Sequence, residues 1–293
     1  MDLRVLRYFL TVAREESIAG AAQALHLTQP TLSRQLKELE AEFGAQLFIR
    51  GTRSQKLTLT EKGMLLRRRA EELVELADKT QAEMLLQDAE IGGDLNIGGG
   101  ESAGMKLVAR AASALHAQYP NIRFHLYSGG AEDVRERLER GLLDFGVFIA
   151  PTNLERYNTL RLPHGDPWGL LVREDLPLAA RETVTPEDLL GVPLIVSKRS
   201  TLYFEEWSGL PADRLNVVAT YNLLFNASLL VEAGLGCALC LDGIINTTGT
   251  ALRFLPLRSS GAARLTLAWK KYQTMSKSAE VFLAEMRRLC GQN

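Results

Sequence analysis

Residues 17–43 read SIAGAAQALHLTQPTLSRQLKELEAEF, and their spacing describes two helices that cross at a tight turn. Ser17 is a good N-cap for a short helix over 18–25, because its hydroxyl can accept a backbone N–H of the first turn. His26 and Leu27 form the turn. Thr28 then caps a second helix that admits Pro30 in its first turn, where a missing N–H costs little. That helix runs to Phe43 and stops at Gly44, a residue suited to the left-handed position after a helix. Leu32, Leu36, Leu39 and Phe43 follow a helical period and predict one buried stripe. Ala21, Ala22 and Leu25 are small or apolar, so the two helices can approach closely. Gln29, Thr31, Ser33, Arg34, Gln35 and Lys37 remain outward at the start of the second helix. Gln pairs with adenine edges, Arg with guanine, and Ser or Thr with bases or phosphates, so this face suits a DNA major groove.

Working outward, Leu3, Leu6, Phe9, Leu10 and Ala13 predict a helix over 2–15. Leu47–Ile49 and Leu57–Leu59 read as two short strands around a Gly-Thr-Arg-Ser tip, a winged hairpin. Arg50, Arg53 and Lys56 make that wing basic. Residues 1–60 hold eight Lys/Arg against six Asp/Glu, a weak bias whose placement matters more than its sum. Glu38, Glu40 and Glu42 are expected to face away from a nucleic acid. The candidate DNA contacts are Ser17, Thr28, Gln29, Pro30, Thr31, Ser33, Arg34, Gln35 and Lys37, with Arg50 and Arg53 on the wing.

From Glu61 to about Gln87 runs one long helix. Leu66, Ala70, Leu73, Ala77, Thr80 and Met84 step alternately by four and three, the spacing of a coiled-coil seam. The helix either pairs with a second copy or packs on its own domain. Pairing is the favoured reading, since nothing nearby looks available to cover the stripe.

These residues resemble the winged helix-turn-helix of the LysR-type transcriptional regulators. The matching strings are Leu6-Arg7-Tyr8-Phe9, Ser17 to Leu25, Leu27 to Leu36, Leu39-Glu40, Leu47 to Arg50 and Leu59 to Gly63. The wing between Arg50 and Thr60 is about two residues longer than the usual pattern of such domains, which leaves its DNA contacts open. The resemblance implies an N-terminal winged helix-turn-helix (1–60), a linker helix and hinge (61–91), and an α/β effector domain (92–293) with two lobes like periplasmic binding proteins. Lobe I would hold about 92–161 and 268–293, and lobe II about 162–267. It also implies binding to double-stranded DNA at an interrupted palindrome, a homodimer through the linker helix, a tetramer built from two dimers, and RNA polymerase as a further candidate partner.

The chain beyond Gly92-Gly93-Asp94 supports this independently. Strands at 95–99, 122–128 and 144–149 alternate with helices at 101–118 and 131–140, a run of βα units with a mostly parallel sheet. Further strands are expected near 167–172, 193–197, 216–220, 237–241 and 264–270, with helices near 186–190, 223–233 and 277–290. Gly98-Gly99-Gly100-Glu101-Ser102 ends a strand and opens a helix, so unpaired N–H groups are expected to point into a crevice. The candidate effector-binding residues are Ser102, Ala103, Ser128, Phe148, Ser197, Arg199 and Asn222. Lys198 and Arg199 hint at an anionic small-molecule effector.

Composition sets the outer limits. The 293 residues are 46% hydrophobic and 24% charged, with net charge −1, as in an ordinary globular protein rather than a general polyanion binder. No apolar run reaches the roughly 18 residues of a membrane span, and the N-terminus lacks a signal-peptide layout. A cytoplasmic location away from membranes is expected. Three cysteines do not make a disulfide scaffold. Cys237-Ala238-Leu239-Cys240 is a CxxC string on a strand, where residues three apart face opposite ways, so buried apolar cysteines are the better reading. Gly98-x-Gly100-x-x-Ala103 formally fits a dinucleotide fingerprint, but Tyr127-Ser128 stand where its acid should be. His26, His116, His125 and His164 have no metal-ligand spacing, and no catalytic set can be assembled. Arg67-Arg68-Arg69 reads as a solvated face, with an auxiliary phosphate contact as the alternative. Neither a cofactor, a metal nor an enzymatic activity is expected. A solute-binding protein would explain residues 92–293 alone, and an enzyme would need the missing catalytic groups.

Overall fold

Side-chain caps open the first two helices. In the computed structural model, which describes residues 1–49, 57–85, 91–163, 165–272 and 274–292, Asp2 accepts the Arg4 N–H and opens α1 (Leu3–Glu15). Ser17 accepts the Gly20 N–H at 3.2 Å and opens α2 (Ile18–Ala24). Thr28 occupies the N-cap position of α3 (Gln29–Phe43) without a capping bond, its hydroxyl lying 2.8 Å from that of Thr31. Gly44 ends α3 at φ 58°, a backbone state that glycine reaches without steric cost.

Leu6, Phe9 and Val12 of α1, Ala21 and Ala22 of α2, and Leu32, Leu36 and Leu39 of α3 close one core. Phe43 does not join it and is 42% exposed. The last turn of α3 runs past the three-helix contact, so the stripe is one residue shorter than its periodicity suggests. The wing strands β1 (Phe48–Ile49) and β2 (Thr58–Leu59) pair antiparallel, and Phe48 packs on Phe9 with centroids 5.2 Å apart. The wing tip at 50–56, including Arg50 and Arg53, lies outside the described residues.

Helix α4 (Glu61–Leu85) divides the expected seam. Ala70 is fully buried in the same core, and Leu66 and Val74 pack against it. Leu73, Leu76 and Met84 are exposed, along with Leu65 nearer the start. One half of the seam therefore serves the helix's own domain, and a neighbouring stripe stays open. Arg7 of α1 bridges to Asp78 with both terminal guanidinium nitrogens, which ties α4 to α1.

The chain divides into two units, Met1–Gln87 and Asp88–Asn293. The second unit contains two five-stranded sheets. One is ordered β4-β3-β5-β12-β6, from β3 (Gly93–Gly99), β4 (Ile122–Ser128), β5 (Phe145–Ile149), β6 (Tyr157–Arg161) and β12 (Leu265–Lys270). The other is ordered β11-β7-β10-β8-β9, from β7 (Trp168–Arg173), β8 (Leu194–Val196), β9 (Val217–Thr220), β10 (Cys237–Leu241) and β11 (Leu252–Pro256). Strands β4, β3 and β5 run parallel, whereas β12 returns from the second sheet antiparallel to β5 and β6. Both sheets are thus mixed rather than mostly parallel. The chain crosses between them at 162–167 and 257–264, where Asp166 and Ala263 form a bridge.

Helices α5 (Met105–Gln118) and α10 (Lys277–Leu289) contribute to the core of the first sheet. Helix α6 (Ala131–Glu139) packs there with Phe148, Tyr157 and Ala268. In the second sheet, α7 (Pro186–Leu190) and α8 (Lys198–Ser208) belong to one core and α9 (Leu224–Glu232) to another. Cys237 lies in the first of these and Cys240 in the second, on opposite faces of β10. Strands β6 and β11 and helix α8 are absent from the sequence expectations. The cap of α8 explains its omission: Ser197 and Ser200 bond each other's backbone N–H reciprocally, so serine stands where a Glu or Gln normally signals a capping box.

Candidate DNA-reading face and ligand cleft

The outward face of α3 is polar because its other side is committed to Leu32, Leu36 and Leu39. Gln29, Pro30, Thr31, Arg34 and Lys37 are exposed, as is Thr28, while Ser33 and Gln35 are half-buried. Ser17 spends its hydroxyl on the α2 cap. Glu38 does not turn away from this face: Gln35 donates to it at 2.7 Å and Arg34 stands 3.7 Å from its carboxylate. Such an exposed pair four residues apart is worth a few tenths of a kcal/mol, so Arg34 can leave it for a stronger partner. Glu40 accepts the Leu47 and Phe48 N–H groups and ties α3 to the wing.

Between the lobes of the second unit lies a cleft of about 570 Å³. Phe148, Ser197, Arg199 and Asn222 line it; Ser102, Ala103 and Ser128 do not. Phe148 is a wall held from behind, since its ring is 1% exposed. Ser197 is engaged in the α8 cap. Ser128 ends β4 facing solvent, and Gly129 and Gly130 line the cleft instead. Ser102 is buried, its Oγ without a hydrogen-bond partner. The start of α5 is not open to a ligand in the way its sequence suggested. Asp166, from the crossing between the lobes, accepts the Ala103 N–H at 2.7 Å, and burial pushes its carboxyl upward despite that bond.

The cationic pair is also occupied. Lys198 reaches Glu132 across the cleft at 3.1 Å. Arg199 donates to the Ala150 carbonyl at 3.1 Å and to Thr152 Oγ1 at 3.3 Å, and burial lowers its pKa. Glu101 accepts the Leu224 N–H at the start of α9, a third link between the lobes. Sequence reasoning missed Glu101, Arg135 and the stacked pair Trp168–Tyr203, whose centroids are 4.4 Å apart. Only Glu101 had a local signal, the glycine-rich strand end before it.

Two family models cover nearly all of the chain. "Bacterial regulatory helix-turn-helix protein, lysR family" matches residues 3–64, and "LysR substrate binding domain" matches residues 88–291. The chain belongs to the LysR family. It is a DNA-binding transcriptional regulator with an effector-binding domain. Its relatives include the HTH-type transcriptional regulator BsdA of Bacillus subtilis strain 168, 32% identical over 198 residues and 67% of each chain. The Hca operon transcriptional activator HcaR of Escherichia coli K12 is 29% identical over 280 residues, 92% of each. Among solved structures, full-length CbnR complexed with its target DNA matches this LysR-family fold with TM-score 0.76 at 19% identity, covering 99% of this chain and 100% of that one. No described helix is long and apolar enough to cross a membrane.

Proposed function

We propose that this regulator binds an interrupted palindrome through α3 of two copies and is controlled by a small molecule in the inter-lobe cleft. The observation that carries the reading is the α3 face itself, with exposed Gln29, Thr31, Arg34 and Lys37 opposite buried Leu32, Leu36 and Leu39. A helix buried on one side and polar at its N-terminal turn is what a major groove accepts. Two copies pair along α4, through the open stripe of Leu73, Leu76 and Met84, and two such dimers form the working tetramer. CbnR, whose solved complex contains its target DNA, supports the DNA-binding half of this reading. The protein acts by binding rather than by catalysis, in the cytoplasm, with RNA polymerase as its further partner on the promoter.

Control requires that the effector bind one arrangement of the oligomer more tightly than the other. The cleft suits a small molecule in volume and in its mixture of apolar walls with few polar groups. A mobility-shift titration with DNA from the region upstream of the protein's own gene tests the reading. A salt-dependent shift that prefers this DNA over random sequence is expected. A shift indifferent to sequence, or none, rejects it.

A further inference from the structure

Three cationic side chains, Arg135, Lys198 and Arg199, line the cleft, and two of them are already engaged. Lys198 pairs with Glu132, and Arg199 is bonded to Ala150 and Thr152 of the opposite lobe. Arg135 differs. Its Nε is buried and has no hydrogen-bond partner, one of two such side-chain atoms among the described residues. The acids on its own helix are turned to other work. Glu132 takes Lys198, Glu136 pairs with Arg140, and Glu139 accepts the Tyr157 hydroxyl at 2.9 Å. Asp133, which also lines the cleft, stays in the first turn of α6, where the helix dipole favours it. A buried guanidinium N–H without an acceptor carries its full desolvation cost, so an acceptor supplied by a ligand recovers more there than at an exposed arginine. The opposite wall is apolar and aromatic: Trp168 stacks on Tyr203, and Leu202, Leu224 and Ile244 complete it.

We infer that Arg135 is the anion anchor of the cleft, and that its ligand is a small organic carboxylate whose apolar body lies toward the Trp168–Tyr203 pair. A carboxylate matches the guanidinium fork with two parallel bonds, which an ammonium or an amide does not reproduce. The inference rests on the cleft being the effector site. It moves the anionic preference away from Lys198, which is exposed and faces Glu132, and from Arg199, whose two bonds tie it to the opposite lobe, to the fifth residue of α6.

The test is thermal shift on the full chain with hexanoate, benzoate and cyclohexanecarboxylate, each against its primary amide at matched ionic strength. The acids raise Tm and the amides do not. Arg135→Gln raises the apparent Kd at least about tenfold and Arg135→Lys recovers part of the loss, since lysine keeps the charge without the fork. An unliganded Tm and DNA shift close to those of the parent show that both variants fold. Ile244→Trp, which narrows the cleft, weakens binding as well. Amides as effective as acids, no acid raising Tm, or Arg135→Gln binding like the parent each overturns the assignment of Arg135. Where a compound does bind and Ile244→Trp weakens that binding, the cleft reading survives. Acids that bind equally well to Ile244→Trp overturn the cleft reading itself.

Discussion

Arg34, proposed above as a DNA-reading side chain, is held only weakly in the protein alone. Its 3.7 Å pairing with Glu38 is exposed on both sides, so the arginine is available to a base edge or a phosphate. Arg34→Ala is expected to cost about 1–3 kcal/mol on the specific site and to relax preference at one position. Equal weakening on specific and random DNA in gel shifts would mark it as a phosphate contact only. The thiols follow from burial in the same way. Burial pushes Cys237 up to about 11 and Cys240 well above the usual thiol range, whereas Cys290 is half-buried. A thiol reagent should therefore label Cys290 first in the native protein, with Cys237 and Cys240 reacting only on unfolding. Asp94 gives a pH dependence. Burial raises its carboxyl, but hydrogen bonds from His125 and Arg123, both at 2.9 Å, win and hold it below the usual carboxylate range. A carboxyl lowered on folding adds stability above its unfolded value, and that stability is lost as pH falls through the folded one. The parent should exceed Asp94→Asn by less than about 1 kcal/mol at neutral pH, because the pair is mostly exposed. In urea titrations the difference should shrink as pH falls below the ordinary carboxylate range, about pH 4.

At the scale of elements, the winged domain depends on one close approach. A Cβ at Gly63 would stand 2.1 Å from the Leu47 carbonyl oxygen, where α4 begins against the wing. Thr60 fixes this corner by accepting the Gly63 N–H and donating to the Gln46 carbonyl. Gly63→Ala should destabilise the domain by about 1–3 kcal/mol through forced backbone shift, measured by the unfolding of the N-terminal unit. Helix α4 makes the opposite point about exposed residues. Leu76→Glu leaves the core of Leu66, Ala70 and Val74 untouched, so it should keep its helix signal by circular dichroism while light scattering shows smaller assemblies. Unchanged mass would count against pairing through this stripe. The seam spacing was legible in the sequence, but which of its residues serve α1 and which remain open was not.

For the effector-binding unit as a whole, the ties across the cleft are the quantity to measure. Arg199 spans the lobes to Ala150 and Thr152, and hydrogen bonds from a charged donor are worth about 1.5–3 kcal/mol each when partly buried. Arg199→Ala should lower the stability of the C-terminal unit by roughly 1–3 kcal/mol in urea unfolding of the full chain. Ordinary stability with lost ligand response would instead show that Arg199 contacts the effector.

Residues 17–43 determined the exposed polar face of α3 by themselves, because helical period and caps are local properties. The buried positions Leu32, Leu36 and Leu39, the Ser17 cap and the Gly44 stop all follow from neighbours within four residues. The α/β alternation after Gly92 was equally local. Tertiary structure alone decided where charges are spent. Asp166 reaches Ala103 over 63 residues, Lys198 reaches Glu132 over 66, and Glu101 reaches Leu224 over 123. No spacing rule carries such pairings. A side chain's availability to a ligand depends on every other group that can bond it first, and those groups meet only when the lobes are folded.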